Sequence, residues 1–256
     1  MALRNYGWRP DKPDFRDHVL KYGALGTAIA PTVDLRDTGY FPSVYDQGTL
    51  GSCTGNAIAA AIAYASTAQS KPKYDPSRLF IYYNERVMEG TVDQDAGAEI
   101  RDGIKSVAKE GVCNEVIWPY DINQFTVKPS DMAYTEAQKG IIKQYSRVPI
   151  AMHNIQNVLT HKIPIVIGCS LYRSFESNAV ASDGMVPMPD PSENQLGGHC
   201  MLMVGYTQTH FIVRNSWGEG WGDKGYCYMP FDYLLNTYLA DRKSTRLNSS
   251  HTDISR

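Results

Sequence analysis

The chain has 256 residues, with 25 Lys+Arg against 27 Asp+Glu and a formal net charge of −2. Such a length can build one large domain or two lobes around a real hydrophobic core. Hydrophobic residues at 43% and charged residues at 20% place it far from disordered composition. The balanced charge argues against a nucleic-acid binder, which should carry a basic excess or stripe. No apolar run approaches the roughly 18 residues needed to span a bilayer, so no membrane partner is expected. The segment Met1 to Trp8 lacks the apolar stretch of a secretory signal, and an intracellular or otherwise reducing compartment is the expectation. Five cysteines, Cys53, Cys113, Cys169, Cys200 and Cys227, are odd in number and contain no CxxC pair, which excludes a disulfide scaffold and zinc-type spacing. No metal or cofactor is expected. The odd count leaves room for one reactive thiol.

In chain order, residues 1–31 form an N-terminal arm in which Pro10, Pro13 and Pro31 disfavour helix. A glycine-flanked loop, Gly48 to Gly51, leads into a helix predicted over 53–69, where seven alanines suit close packing on several sides. Ser52 is an N-cap type at its start. Asp75-Pro76-Ser77 opens a second helix with Pro at the first helical position, ending at Gly90. A third runs from about Ala98 to Glu110 with Gly111 as its stop, and a fourth covers 130–143. The pattern then turns to β: Ile163 to Cys169, Met201 to Tyr206, Phe211 to Arg214 and Tyr226 to Met229 read as strands. A long Pro- and Gly-rich loop occupies 184–198. A helical half followed by a strand-rich half gives an α+β fold, two lobes with a cleft between. The last stretch, 241–256, is polar and aperiodic, and reads as a disordered tail or one not native to the domain.

Three short segments carry chemistry. In Gln47-Gly48-Thr49-Leu50-Gly51-Ser52-Cys53, the cysteine sits at a helix N-terminus, where unpaired N–H groups and the helix dipole favour a thiolate. A thiolate with a base nearby is a competent nucleophile; a structural thiol at a helix cap is the alternative. Gly197-Gly198-His199 places a histidine after a Gly-Gly turn at the mouth of a strand. Arg214-Asn215-Ser216-Trp217-Gly218 follows, with Asn215 sixteen residues after His199, a separation that allows neighbouring hairpin strands. An Asn oxygen there could accept from the imidazole and hold its tautomer.

Together these segments resemble the papain-like cysteine proteases, in which Cys, His and Asn occur in that order. The 146 residues from Cys53 to His199 fall within the roughly 130–150 typical of papain and the cathepsins. The match extends through Gln47, Gly51-Ser52-Cys53, Gly198-His199, Val204-Gly205-Tyr206, Asn215-Ser216-Trp217-Gly218 and Gly222 to Gly225-Tyr226, and covers about residues 32–230. It implies a papain-like fold with a helical lobe over about 47–143 and a β-barrel-like lobe over about 144–230, both within a peptidase domain of 32–240. The signal-less, disulfide-poor microbial or viral members are the nearest type. It implies Cys53 as nucleophile, His199 as base and then acid, Asn215 as the group orienting the imidazole, Trp217 as its shield from water, and Gln47 as an oxyanion-hole donor. Gly97, Gly198 and Cys200 fall where relatives bind substrate backbone or line a specificity pocket. The implied activity is hydrolysis of peptide bonds, without cofactor, on peptide or protein substrates. Protein inhibitors are conceivable partners, and a monomer is expected.

The sequence departs from the family signature at two places: Leu50 stands where secreted relatives have a cysteine, and Thr54 stands where they have an aromatic residue. The 1–31 arm is too short for the long helical pro-domain of secreted relatives. Either it is a short pro-segment that lies along the cleft and restrains access, or it is a simple extension. Two rivals keep the same constellation. One is a transpeptidase or acyl transferase, in which an amine intercepts the acyl-enzyme. The other is a catalytically silent papain-like binding protein, against which the retention of Gln47, Cys53, His199 and Asn215 counts.

Overall fold

A computed structural model of the chain describes residues 5–12, 19–20, 28–70, 74–140, 145–236 and 247–248. The first long element is α1 (Cys53–Ala68), in which residues 53 to 64 are buried without a break. That is what its composition demands. Alanine combines high helix propensity with minimal bulk, so neighbours can approach from every side. Against α1 pack α2 (Arg78–Glu89), α3 (Ile100–Glu110), and two strands of the sheet described below. Gly55 lets α2 come close, since a methyl group there would lie 2.7 Å from the Arg78 carbonyl oxygen.

The helix boundaries show which local rules prevail. α2 begins at Arg78 rather than at Pro76, because the Ser77 hydroxyl accepts the Phe80 N–H (3.1 Å) and so acts as the N-cap; Pro76 instead bridges to Asn114. Gly90 ends the helix at φ +71°, the left-handed conformation that glycine adopts without cost. α3 starts at Ile100 because Ala98–Glu99 forms a short strand, β3, parallel to β1 (Trp8–Arg9) of the N-terminal arm. The fourth helix is shorter than expected. It is α4 (Asp131–Ala137), capped by Ser130 and continued by one 3₁₀ turn over Gln138–Gly140; residues 141–143 lie outside the described residues. Ser52 precedes α1 but makes no side-chain cap bond, because its hydroxyl is engaged with Tyr120 and Asn56.

The second half is built on an antiparallel sheet in which β5 (Ile165–Tyr172), β6 (Gln195–Tyr206), β7 (His210–Arg214) and β8 (Tyr226–Pro230) are neighbours in that order. The edge of β6 is also met by β2 (Val33–Asp34), with Val33 opposite Tyr206. β4 (Ser146–Arg147) and β9 (Leu247–Asn248) pair at the far side beside β5. Three short helices were not expected from the sequence: α5 (Met152–Thr160), α6 (Asn178–Asp183) and α7 (Phe231–Leu235). β6 begins six residues earlier than its apolar run suggests, at Gln195, so Gly197-Gly198 is strand rather than turn. Its exposed or half-buried start carries no hydrophobic alternation, and only pairing with β5 reveals it. The expected loop therefore ends at residue 194. Of the predicted tail, residues 241–246 and 249–256 lie outside the described residues.

The fold is α+β, with helices and an antiparallel sheet meeting on α1. Gly55→Val should lower the free energy of unfolding by roughly 1–3 kcal/mol by overpacking the α1–α2 contact, measurable as a reduced urea midpoint at unchanged m-value.

Candidate active site

Cys53 opens α1 and is wholly buried. The backbone amides of Cys200, Gly7 and Thr54 face its sulfur and favour the thiolate, yet burial outweighs them and pushes the thiol up to about 12. The sequence argument from the helix N-terminus expects a lowered thiol. The correction comes from burial: the sulfur is fully removed from water, and that desolvation outweighs the amides that face it. All five cysteines are buried, and none is joined in a disulfide. Cys200, beside Cys53, is held well above its ordinary value by burial, which sets it among the packed thiols rather than on an open pocket wall.

His199 lies on β6 opposite Cys169 of β5, and the hairpin register sets Leu202 opposite Arg214 at the end of β7. Asn215 thereby comes within 2.8 Å of the imidazole, between Asn215 Oδ1 and His199 Nε2. The same Oδ1 accepts the Ser216 N–H at 2.8 Å. An atom that accepts a backbone N–H is an oxygen, so the histidine nitrogen facing it must carry the hydrogen. The imidazole is thus fixed with Nε2–H toward Asn215, and Nδ1 is its basic nitrogen. The Trp217 ring covers this pair at 5.0 Å from the imidazole centroid, and Trp217 is itself packed edge-on against Phe175 and Trp221.

Gln47 reaches the same place from the glycine loop. Its Oε1 accepts the Ser216 hydroxyl at 2.5 Å, which turns Nε2 outward to the Leu50 carbonyl (2.9 Å) and the Asn5 carbonyl (3.5 Å). Asp95 pins the loop by accepting the Gly51 N–H at 3.0 Å, and the Tyr82 hydroxyl donates to Asp95. Beneath, Ser52, Asn56 and Tyr120 are tied to Arg78. The Arg78 guanidinium donates to Asn56 (3.2 Å) and pairs with Glu115 at 2.5 Å. Asp95 and Asn56 carry no sequence signal, since isolated polar residues have no periodicity, and Ser216 is legible only as part of the Asn215-to-Gly218 motif, not as the partner of Gln47.

The arm fills the groove between these groups. The Tyr6 ring stands edge-on to His199 at 6.2 Å, and its hydroxyl donates to Glu176. The Gly7 carbonyl accepts the Ala98 N–H at 2.6 Å. A side chain on Gly97 (φ +65°) would overlap Gly7, and one on Gly7 would overlap the Gly51 carbonyl, so two backbones touch where only glycine fits. The buried Trp8 ring lies against Gly168 and Gly198, where any Cβ would collide with it, and its Nε1 has no hydrogen-bond partner among the described residues. Further anchors are the Arg9–Glu89 ion pair and Asp11 Oδ1, which accepts the Arg101 N–H at 3.1 Å. Gly97 and Gly198 therefore face the arm's backbone and ring.

A helical layer and an antiparallel sheet that bring a cysteine, a histidine and an asparagine to one seam define the papain-like class. The sequence profile described as papain family cysteine protease matches residues 29–238. An uncharacterized peptidase C1-like protein of Acanthamoeba polyphaga mimivirus is 41% identical over 263 residues, covering 93% of this chain and 85% of its own. The crystal structure of xylellain, a cysteine protease from Xylella fastidiosa, superposes with a TM-score of 0.87 at 40% identity over 96% of both chains. Bromelain from Ananas comosus, solved in complex with the E64 inhibitor, shares the fold at a TM-score of 0.65 and 20% identity, over 86% of this chain and 98% of its own. Against Psoroptes ovis peptidase 1, 26% identical, the chain covers 64% of the relative's length. The chain belongs to the papain family of cysteine proteases, and it is a cysteine peptidase.

Among the described residues no cluster of His, Cys, Asp or Glu is arranged to hold a metal ion, and no helix is long and apolar enough to cross a membrane. The tautomer assignment is open to direct measurement. The His199 Nε2–H should appear as a slowly exchanging imidazole proton in ¹⁵N–¹H spectra, and Asn215→Ala should abolish its protection.

Proposed function

We propose that this peptidase works through Cys53, with His199 as base and acid, Asn215 orienting His199, Gln47 stabilising the oxyanion and Trp217 excluding water from the His–Asn bond. The observation that carries the reading is the Asn215–His199 hydrogen bond beside Cys53, because it leaves Nδ1 as the nitrogen able to take the thiol proton. The thiolate then adds to the scissile carbonyl carbon, and the oxygen takes up negative charge near Gln47 Nε2–H and the Cys53 N–H. The leaving amine takes the proton from the imidazolium as the C–N bond breaks, giving a thioester on Cys53. Water deprotonated by His199 then hydrolyses the thioester and restores the thiol. Dry surroundings under Trp217 strengthen each of these polar interactions.

The arm acts on this chemistry as a built-in restraint. It covers Cys53, keeps the thiol neutral by desolvation, and occupies the groove with Tyr6, Gly7 and Trp8. This reading treats residues 1–31 as a short pro-segment of a latent peptidase, with the substrate a peptide or protein chain that takes the arm's place.

Cys53→Ala should remove turnover of a mixed peptide library under reducing conditions, and Gln47→Ala should lower kcat by about 10²–10³, as expected for one oxyanion donor. Equal cleavage by Cys53→Ala and the unaltered protein would sink the nucleophile assignment. Trp8→Ala tests the restraint. Truncating a buried Trp removes roughly 3–5 kcal/mol of docking, so iodoacetamide labelling of Cys53 and peptide turnover should both rise at least about tenfold. Rates that stay as they were on both readouts would show that the arm does not gate the site.

A further inference from the structure

Behind the nucleophile lies a second titratable group that the mechanism above does not use. Glu85, on α2, is wholly buried. Its Oε1 accepts the Thr54 hydroxyl, and Thr54 is the residue immediately after Cys53. Its Oε2 has no hydrogen-bond partner among the described residues. It lies instead against Gly103 of α3, where a side chain would overlap the carboxyl oxygen. Thr54, which stands where secreted relatives have an aromatic residue, thus supplies the hydroxyl that holds this carboxyl.

The charged neighbours do not neutralise Glu85. On its own helix, Arg86 spends its guanidinium on the carbonyls of Tyr82 (3.0 Å), Val92 (2.8 Å), Gln94 (3.0 Å) and Phe125. From the arm, Arg9 attracts the carboxylate but is paired with Glu89. From α3, Asp102 repels it. From α1 and β6, the thiols of Cys53 and Cys200 are each raised by the proximity of Glu85. A buried carboxyl with one hydroxyl partner and no dedicated counter-charge is cheapest in its neutral form. Burial accordingly pushes it up to about 8.

The geometry points to Glu85 as a positioning residue for the Cys53 thiolate: in its neutral form it steadies the first turn of α1 through Thr54, and in its ionised form it opposes the negative charge on Cys53. The inference rests on Cys53 being the nucleophile. Glu85 acts through Thr54 and through its field, and touches no reacting atom. Near neutral pH the proton stays on the carboxyl and the thiolate forms against no like charge. As the pH rises past about 8, that proton leaves to solvent and the thiolate loses stability relative to the thiol.

The test compares Glu85→Gln with the unaltered full-length chain from pH 5 to pH 10. Two readouts are followed: kcat/KM on a fluorogenic peptide, and the iodoacetamide labelling rate of the Cys53-containing peptide by mass spectrometry. Glutamine keeps an acceptor for Thr54 and cannot ionise. The ratio of Glu85→Gln to unaltered rates should therefore climb about tenfold between pH 6 and pH 9, the equivalent of one pKa unit. Glu85→Ala, which loses the Thr54 acceptor, should run below Glu85→Gln at pH 6. Superimposable pH profiles for Glu85→Gln and the unaltered protein would overturn the proposal. If neither variant folds, infrared difference spectra of the unaltered chain decide it. A buried protonated-carboxyl band present at neutral pH and lost by pH 9 supports the proposal; its absence at neutral pH overturns it. Labelling reads the thiol whether or not peptides are turned over, so failure of the peptidase mechanism would show as missing turnover with the labelling profile still interpretable.

Discussion

The constraint on which the structure depends is that α1 must be buried on every side. Its alanines and Gly55 carry almost no bulk, so α2, α3 and the sheet can all close on it, and the first turn ends up at the seam where the two halves meet. A residue placed at that first turn is at once next to a helix N-terminus, next to β6 and out of water. Cys53 occupies that place. The helix, the sheet and the arm each supply an amide to the sulfur, the sheet supplies the histidine, and the packing of small side chains sets the spacing between them.

Dryness at the seam explains the polar network around it. Taking a charge from water costs several kcal/mol unless partners replace the water, and each group near Cys53 answers that cost differently. Arg78 is paired with Glu115 and hydrogen-bonded to Asn56. Arg86 turns to four backbone carbonyls. Glu85 and Cys53 have hydrogen-bond partners too weak to offset burial, and are driven toward their neutral forms. From the arm, Gly7 faces the thiol through its backbone, and Trp8 packs against Gly168 and Gly198. Burial at the seam thus disfavours the charged form of the Cys53 thiol.

Much of the site was legible because its residues sit in short, unusual contexts. Gln47 to Cys53 joins a glycine loop to an alanine helix, and Asn215 to Gly218 joins a strand end to a tryptophan turn. Gly198-His199 was legible as a motif but misplaced as a turn, since its first residues carry no alternating pattern and only the β5 register shows them to be strand. Asp95 and Glu85 left no trace, and Ser216 was legible as part of its motif but not for its bond to Gln47. Each is a single polar residue whose importance comes from what lies opposite it, at separations of 44 residues for Asp95 and Gly51, 169 for Ser216 and Gln47, and 31 for Glu85 and Thr54.

By itself the sequence determined the α+β class, the alanine helix that starts at Cys53, the antiparallel strand set, and the order and spacing of cysteine, histidine and asparagine. These follow from local propensity and from motifs a few residues long. Only the tertiary structure decided the state of the groups. The sequence argued for a thiol lowered by a helix N-terminus, and the fold returned a thiol raised by burial. The physical reason is that a helix dipole is a local property, readable from a cap, whereas desolvation sums over every segment that closes on an atom, and those segments meet only when the chain is folded.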